Sequence, residues 1–140
     1  SQIDFSAGQG MEEFLMEKKN LDWKHIGFAY HTTDYRYVAD YKDGKWQEGY
    51  MSDSPNIVLN ECAGIMQYCQ EVFEGLKAYE TADGRIVTFR SDLNADRMYH
   101  SAERMEMPPF PKERFIEAVE KVVKANEAWY HLMAAVQHFT

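Results

Sequence analysis

The chain changes its hydrophobic rhythm near residue 90. Before that point short β-forming runs alternate with turn residues; after it, apolar positions recur at helical spacing. Residues 35–41 (YRYVADY) are followed by Asp43-Gly44 and then by KWQEGY. An Asp-Gly pair between two such runs predicts a hairpin, because the tight turn needs positive φ. Residues 76–80 and 85–90 (LKAYE and RIVTFR) flank Ala82-Asp83-Gly84 and predict a second hairpin with the same turn chemistry. Residues 57–59 (IVL) predict a further short strand.

Ser91 or Asp92 is the expected cap of a helix over 92–105, since either oxygen can accept from the free N–H groups of the first turn. Leu93, Met98, Ala102 and Met105 supply its apolar face. MPPFP (107–111) ends it, because proline lacks the amide hydrogen and clashes inside a helix. A second helix is predicted from about Lys112 to Asn126, with Phe115, Ile116, Val119, Val122 and Val123 as its stripe. The predicted fold class is α+β: a small antiparallel sheet with two or more helices packed on it. Residues 1–15 mix Gly, Ser and Gln without a sustained period. They are expected to be an extension outside a domain that spans 16–129.

Composition narrows the function classes. With 140 residues, 45% of them hydrophobic, the chain has material for one ordinary domain with a real core. Its net charge of −8 argues against nucleic acid and against anionic membranes, both of which reward dense Lys and Arg. No apolar run approaches the roughly 20 residues of a spanning helix, and no basic-then-apolar leader opens the chain, so a cytoplasmic location is expected. Cys62 and Cys69 are expected to be ordinary thiols, and the five histidines lack the paired spacing of a metal site. No glycine-rich phosphate loop and no GxSxG elbow occurs.

Arg97 is the first candidate for chemistry. It sits early in the 92–105 helix, off the predicted apolar face, and a guanidinium presents five donors in a fixed fork suited to phosphate or carboxylate. The competing reading is an exposed helix arginine paired with Asp96 or Glu103, and on chemistry alone that is the simpler one. Phe28, Tyr68 and Phe73 read equally as core residues. Gly75 offers either close backbone approach or a plain turn. Arg85, Arg90 and Arg104 read as solvated partners of nearby acids, and Lys77 as exposed.

Taken together, DYRYVADYKDGKWQEG, QEVFEGLKAY, DGRIVTFRSDLNADRM, SAERMEMPPFP and ANEAW resemble the branched-chain amino acid aminotransferases. These are pyridoxal 5′-phosphate enzymes of fold type IV. The resemblance runs from about Asn20 to Trp129 and implies their N-terminal small domain. It implies that Arg97 binds the cofactor phosphate and that Phe28, Tyr68 and Phe73 line the pocket for an aliphatic side chain. A dry aromatic box suits that task, since each methylene-sized difference is worth about 1–3 kcal/mol. The implied reaction moves the amino group of Leu, Ile or Val to 2-oxoglutarate, in a homodimer. The lysine that carries the cofactor as a Schiff base, and the carboxylate that pairs with its ring nitrogen, belong to a second domain beyond Trp129. Lys77, Lys121 and Lys124 do not match that lysine, so the isolated chain is expected to be inactive. Two positions depart from the family pattern: Cys69 stands where a small residue such as glycine is common and Ser91 where a proline is common.

Residues 130–140 (YHLMAAVQHFT) do not resemble the family continuation. One codon set for them, read a base out of register, gives VPPYGSGATLY, which does. The tail is therefore expected to reflect a frameshift, and the underlying DNA decides it. Two other readings stand beside the branched-chain one. The first is a D-amino acid aminotransferase or aminodeoxychorismate lyase of the same fold type. The second is a non-catalytic module that uses its sheet to dimerise.

Overall fold

The structure, a computed structural model, describes residues 2–4, 18–22 and 30–130. Phe28 and residues 131–140 lie outside the described residues. Within the expected extension, Gln2–Asp4 forms β1. Four short strands follow: β2 (Arg36–Val38), β3 (Tyr41–Lys42), β4 (Lys45–Trp46) and β5 (Tyr50–Ser52). β3 and β4 close the first hairpin across Asp43 and Gly44, whose φ values of 52° and 75° are the pair that an Asp-Gly turn supplies. β2 pairs antiparallel with β5 outside that hairpin, with Tyr37 opposite Met51.

The hairpin tip is held from the other half of the chain. Trp46 packs edge-on against Tyr41 and Phe110 at centroid distances of 5.3 and 4.9 Å. Its Nε1–H donates to the Pro109 carbonyl at 2.8 Å, and the Arg114 guanidinium donates to the Gln47 carbonyl at 2.5 Å. The proline segment that ends one helix thus also docks the hairpin.

Residues 57–59 form no strand: Ile57, Val58 and Leu59 are exposed in a loop, with no strand paired to them among the described residues. A short helix that the pattern did not announce, α1 (Gly64–Tyr68), comes next and buries none of its residues. Cys69 caps its C-terminus in the left-handed conformation, with φ 51° and ψ 34°. The amides of Cys69 and Gln70 turn back to the carbonyls of Ile65 and Gly64. A left-handed cap is where glycine is favoured and where a Cβ is penalised, which gives a physical reason for the family preference at this position. Cys69→Gly is expected to stabilise the chain by about 1 kcal/mol. A urea midpoint that stays put or falls would contradict it.

The second hairpin forms from β6 (Ala78–Glu80) and β7 (Ile86–Phe89), but its turn differs from the first: Gly84 has φ 80° while Asp83, unlike Asp43, is not at positive φ. β1 adds to the outer side of β7, so the sheet order is β1-β7-β6. Three residues of the expected extension are therefore hydrogen-bonded to the sheet. Among the described residues the strands form three antiparallel ladders.

Two longer helices follow, α2 (Ser91–Arg104) and α3 (Lys112–Ala125). Neither Ser91 nor Asp92 caps α2. Arg90 occupies the cap in the left-handed region, at φ 52° and ψ 43°, and Ser91 is the first helical residue, where proline is generally favoured. Ser91 is instead fully buried and accepts a hydrogen bond from Thr88 Oγ1 at 3.2 Å. The buried face of α2 also differs from the prediction: it is Ser91, Asn94, Ala95 and Ala102, while Leu93 and Met105 are exposed. Ser91 and Asn94 hydrogen-bond to β7 and to the Glu74-Gly75 segment, and the helix packs on α3. Among the described residues the apolar core is Ile86, Val87, Ala95, Ala102, Val123 and Ala128. Tyr130, the first residue of the expected tail, packs against Ile86 and Val123. A single-turn 3-10 helix, Glu127–Trp129, ends the described chain.

Candidate functional site

From Glu71 to Glu80 burial alternates residue by residue. Val72, Glu74, Leu76 and Ala78 turn inward, whereas Phe73, Lys77 and Tyr79 turn out. An extended backbone produces this period of two. A glutamate on the inward side needs partners, because an unpaired buried carboxylate is costly.

Helix α2 supplies them. Asn94 and Arg97, three residues apart, lie on neighbouring positions of one helix face. Arg97 Nε donates to Glu74 Oε2 at 3.1 Å and its terminal Nη2 donates to Oε1 at 2.5 Å. Asn94 Nδ2 donates to Glu74 Oε1 at 2.8 Å and to the Gly75 carbonyl at 2.9 Å. The Gln70 amide donates to the Met105 carbonyl at 2.8 Å, fastening the same segment to the far end of α2. The Arg97 hydrogen bonds hold the Glu74 carboxyl below its ordinary 4.5, against the opposing pull of desolvation. Glu74 in turn raises the Arg97 guanidinium.

The two partners differ sharply in exposure: the Glu74 side chain is 8% exposed and the Arg97 side chain 61%. Glu74 engages the Nε–H and one Nη2–H of the guanidinium, which leaves three N–H donors, two of them on the Nη1–Nη2 edge. A shallow groove of about 470 Å³ lies beside Arg97, lined by Leu93, Asp96, His100, Ser101 and Arg104. Asp96 is paired with Lys112, His100 with Glu103 and Arg97 with Glu74. A fixed guanidinium fork with a hydroxyl and a second guanidinium nearby is chemically suited to a phosphate monoester.

Arg97 is thus exposed, as the simpler reading had it, but its partner is Glu74 rather than Asp96 or Glu103. Tyr68, at the end of α1, is 84% exposed and Phe73 is 91% exposed. Neither ring lines the groove beside Arg97. Phe73 is tied to Arg97 only through its neighbour Glu74. Gly75 has neither a positive φ nor a crowded neighbour: an added Cβ would first meet the Phe73 ring, at 3.7 Å. Arg85 and Arg90 pair with Asp83 and Asp92, as expected of solvated arginines. Cys62 and Cys69 are both exposed and unbridged.

Over 111 residues the chain is 47% identical to the branched-chain-amino-acid aminotransferase of Haemophilus influenzae, covering 79% of this chain and 32% of that protein. The chain is homologous to the branched-chain-amino-acid aminotransferases. It is 42% identical over 111 residues to the enzyme of that name from Helicobacter pylori, covering 79% of this chain and 33% of that protein. Against the chloroplastic branched-chain-amino-acid aminotransferase 5 of Arabidopsis thaliana, identity is 44% over 116 residues, covering 82% of this chain and 28% of that protein. The chain spans about a third of the length of these aminotransferases. No family model matches it. Arg97, Glu74 and the QEVFEGLKAY segment therefore lie in a homologue of aminotransferases. No helix among the described residues is long and apolar enough to cross a membrane.

Sequence reasoning missed Glu74 and Asn94. The alternation within EVFEGLKAYE was the available signal, since it sets Glu74 on the same side as Val72 and Leu76.

Proposed function

We propose that this chain supplies the phosphate-binding wall, and part of the side-chain pocket, of a pyridoxal 5′-phosphate-dependent branched-chain aminotransferase. The activity is amino transfer between Leu, Ile or Val and 2-oxoglutarate, in the cytoplasm. The observation that carries it is Arg97, held by one edge and open on the other, in a segment homologous to these aminotransferases. Arg97 binds and orients the phosphate through its free donors. Tyr68 and Phe73, with Phe28 by resemblance, exclude water from the aliphatic chain of the substrate. When bound, the cofactor supplies the electron sink that eases proton loss at the substrate Cα. No lysine of residues 1–140 corresponds to the one that would hold the cofactor and shuttle that proton, so this chain alone carries no turnover.

Pyridoxine 5′-phosphate and pyridoxine make the clean test, because neither has an aldehyde to react with surface lysines. The chain is expected to bind the phosphorylated form at least about tenfold more tightly. Arg97→Ala is expected to abolish that preference, as read by phosphorus and proton NMR titration. Incubated with pyridoxal 5′-phosphate, leucine and 2-oxoglutarate, the chain should yield no branched 2-oxo acid and no cofactor absorbance that survives dialysis. Equal affinity for the two pyridoxine forms, or turnover by the chain alone, would overturn the proposal.

The exposed rings favour a complementary role. Phe73, Tyr68, Met66 and Val58 leave an unusual amount of apolar surface in water. We infer that this surface is covered by the rest of the catalytic assembly, including a second copy in a homodimer.

A further inference from the structure

We propose that Glu74 is the positioning residue of the Arg97 anion site: it grips one edge of the guanidinium so that the other is presented, preoriented, to a phosphate. The inference rests on the reading of Arg97 given above. Three observations carry it.

The first is the hydrogen-bond geometry. Glu74 engages the Nε and Nη2 donors side-on, at 3.1 and 2.5 Å. That leaves the Nη1–Nη2 edge, the one that matches two phosphate oxygens, unoccupied by Glu74. The second is the anchoring of Glu74 itself. Its side chain is nearly buried, and Asn94 Nδ2 bridges its carboxylate and the following carbonyl. A mobile surface carboxylate could not orient anything; this one is fixed by α2 before a ligand arrives. The third is the exposure of Arg97. A long side chain that is mostly in water would sample many rotamers, and ordering it on binding weakens affinity. Glu74 removes much of that loss in advance.

Simple electrostatics makes the opposite prediction. A carboxylate beside the guanidinium repels a dianion, and removing it should strengthen phosphate binding. Two substitutions separate the effects. Glu74→Gln removes the charge yet keeps one carbonyl acceptor for Arg97. Glu74→Ala removes both. Positioning therefore predicts that Glu74→Ala binds pyridoxine 5′-phosphate about fivefold more weakly than Glu74→Gln, with pyridoxine itself unaffected.

The experiment measures both ligands against the unaltered 140-residue chain, Glu74→Gln, Glu74→Ala and Arg97→Ala. The Arg97 Nε–H signal is followed by NMR in the unliganded proteins, and urea midpoints report folding. The expected result is a protected Nε–H in the unaltered chain and in Glu74→Gln, its loss in Glu74→Ala, and the fivefold gap. Equal affinities for Glu74→Gln and Glu74→Ala, with both folded, overturn the positioning role while leaving Arg97 as the phosphate ligand. If Glu74→Ala does not fold, the Nε–H signal and affinity of Glu74→Gln decide: an unprotected Nε–H with undiminished phosphate affinity overturns the role. If Arg97→Ala keeps the phosphate preference, the underlying reading of the site falls instead.

Discussion

Asn126→Ala is expected to destabilise the chain by about 3 kcal/mol or more. Asn126 is buried at the end of α3, and both ends of its amide are used. Its Oδ1 accepts from the backbone amides of Asp34 and Tyr35, each at 3.0 Å. Its Nδ2 donates to the carbonyls of Tyr35 and Val122, at 2.8 and 2.9 Å. One side chain thus serves as a substitute strand for the segment entering β2. Truncation removes the partners of two amides and of the Tyr35 carbonyl, and each orphaned group costs about 1–3 kcal/mol where water does not replace the bond. Native domains have only about 5–15 kcal/mol in hand, so the loss should be visible as a large fall in the urea midpoint. Asn126→Asp keeps the acceptor and loses the donors, and belongs between the two. A loss below about 1 kcal/mol for Asn126→Ala would mean that water replaces these bonds.

The same residue shows what the sequence could and could not say. Asn126 was legible as the place where a helix stops, because the stripe of α3 runs out there. Its role as a partner for residues 34 and 35 was not, since nothing local links positions some 90 apart. Both hairpins were legible from their Asp-Gly pairs, but only the first uses the pair as expected, with Asp43 and Gly44 both at positive φ; in the second Gly84 alone has it. Both long helices were read correctly because period and proline agree. The buried face of α2 was not. Leu93 and Met105 fit a helical stripe, but the face that α2 buries carries Ser91, Asn94, Ala95 and Ala102. Hydrophobicity alone ranks those four too low. α1 was invisible because it buries nothing and so carries no pattern. The partner of Arg97 was sought within its own helix, whereas it comes from an extended segment 23 residues away.

Acid should unfold this chain over a window set by its paired carboxylates. Asp34, Glu74, Asp83, Asp92 and Asp96 are all held below their ordinary values. For Asp92 the Arg90 guanidinium brings it to about 2. The sign follows from proton uptake. An unfolded chain, with carboxylates near about 4, binds protons before the folded one does. Stability from these pairs is therefore complete above roughly pH 5 and is lost as pH falls toward 2. Most of these groups are exposed, so salt screens them and each counts for little. Glu74 differs because its side chain is nearly buried and two side chains, Arg97 and Asn94, hydrogen-bond to its carboxylate. Between pH 7 and 5 an opposing effect operates. The chain carries −8 at neutrality, and partial protonation relieves self-repulsion. The thermal midpoint at fixed ionic strength should hold or rise from pH 7 to 5 and then drop steeply. Glu74→Gln should lower the midpoint at pH 7 and flatten the acid limb, while Asp83→Asn, in an exposed turn, should change neither by much. A midpoint unchanged between pH 4.5 and 2.5 would show that these pairs are equally formed in the unfolded chain. Equal effects of Glu74→Gln and Asp83→Asn would show that burial gives the Arg97 clamp no advantage over an ordinary surface pair.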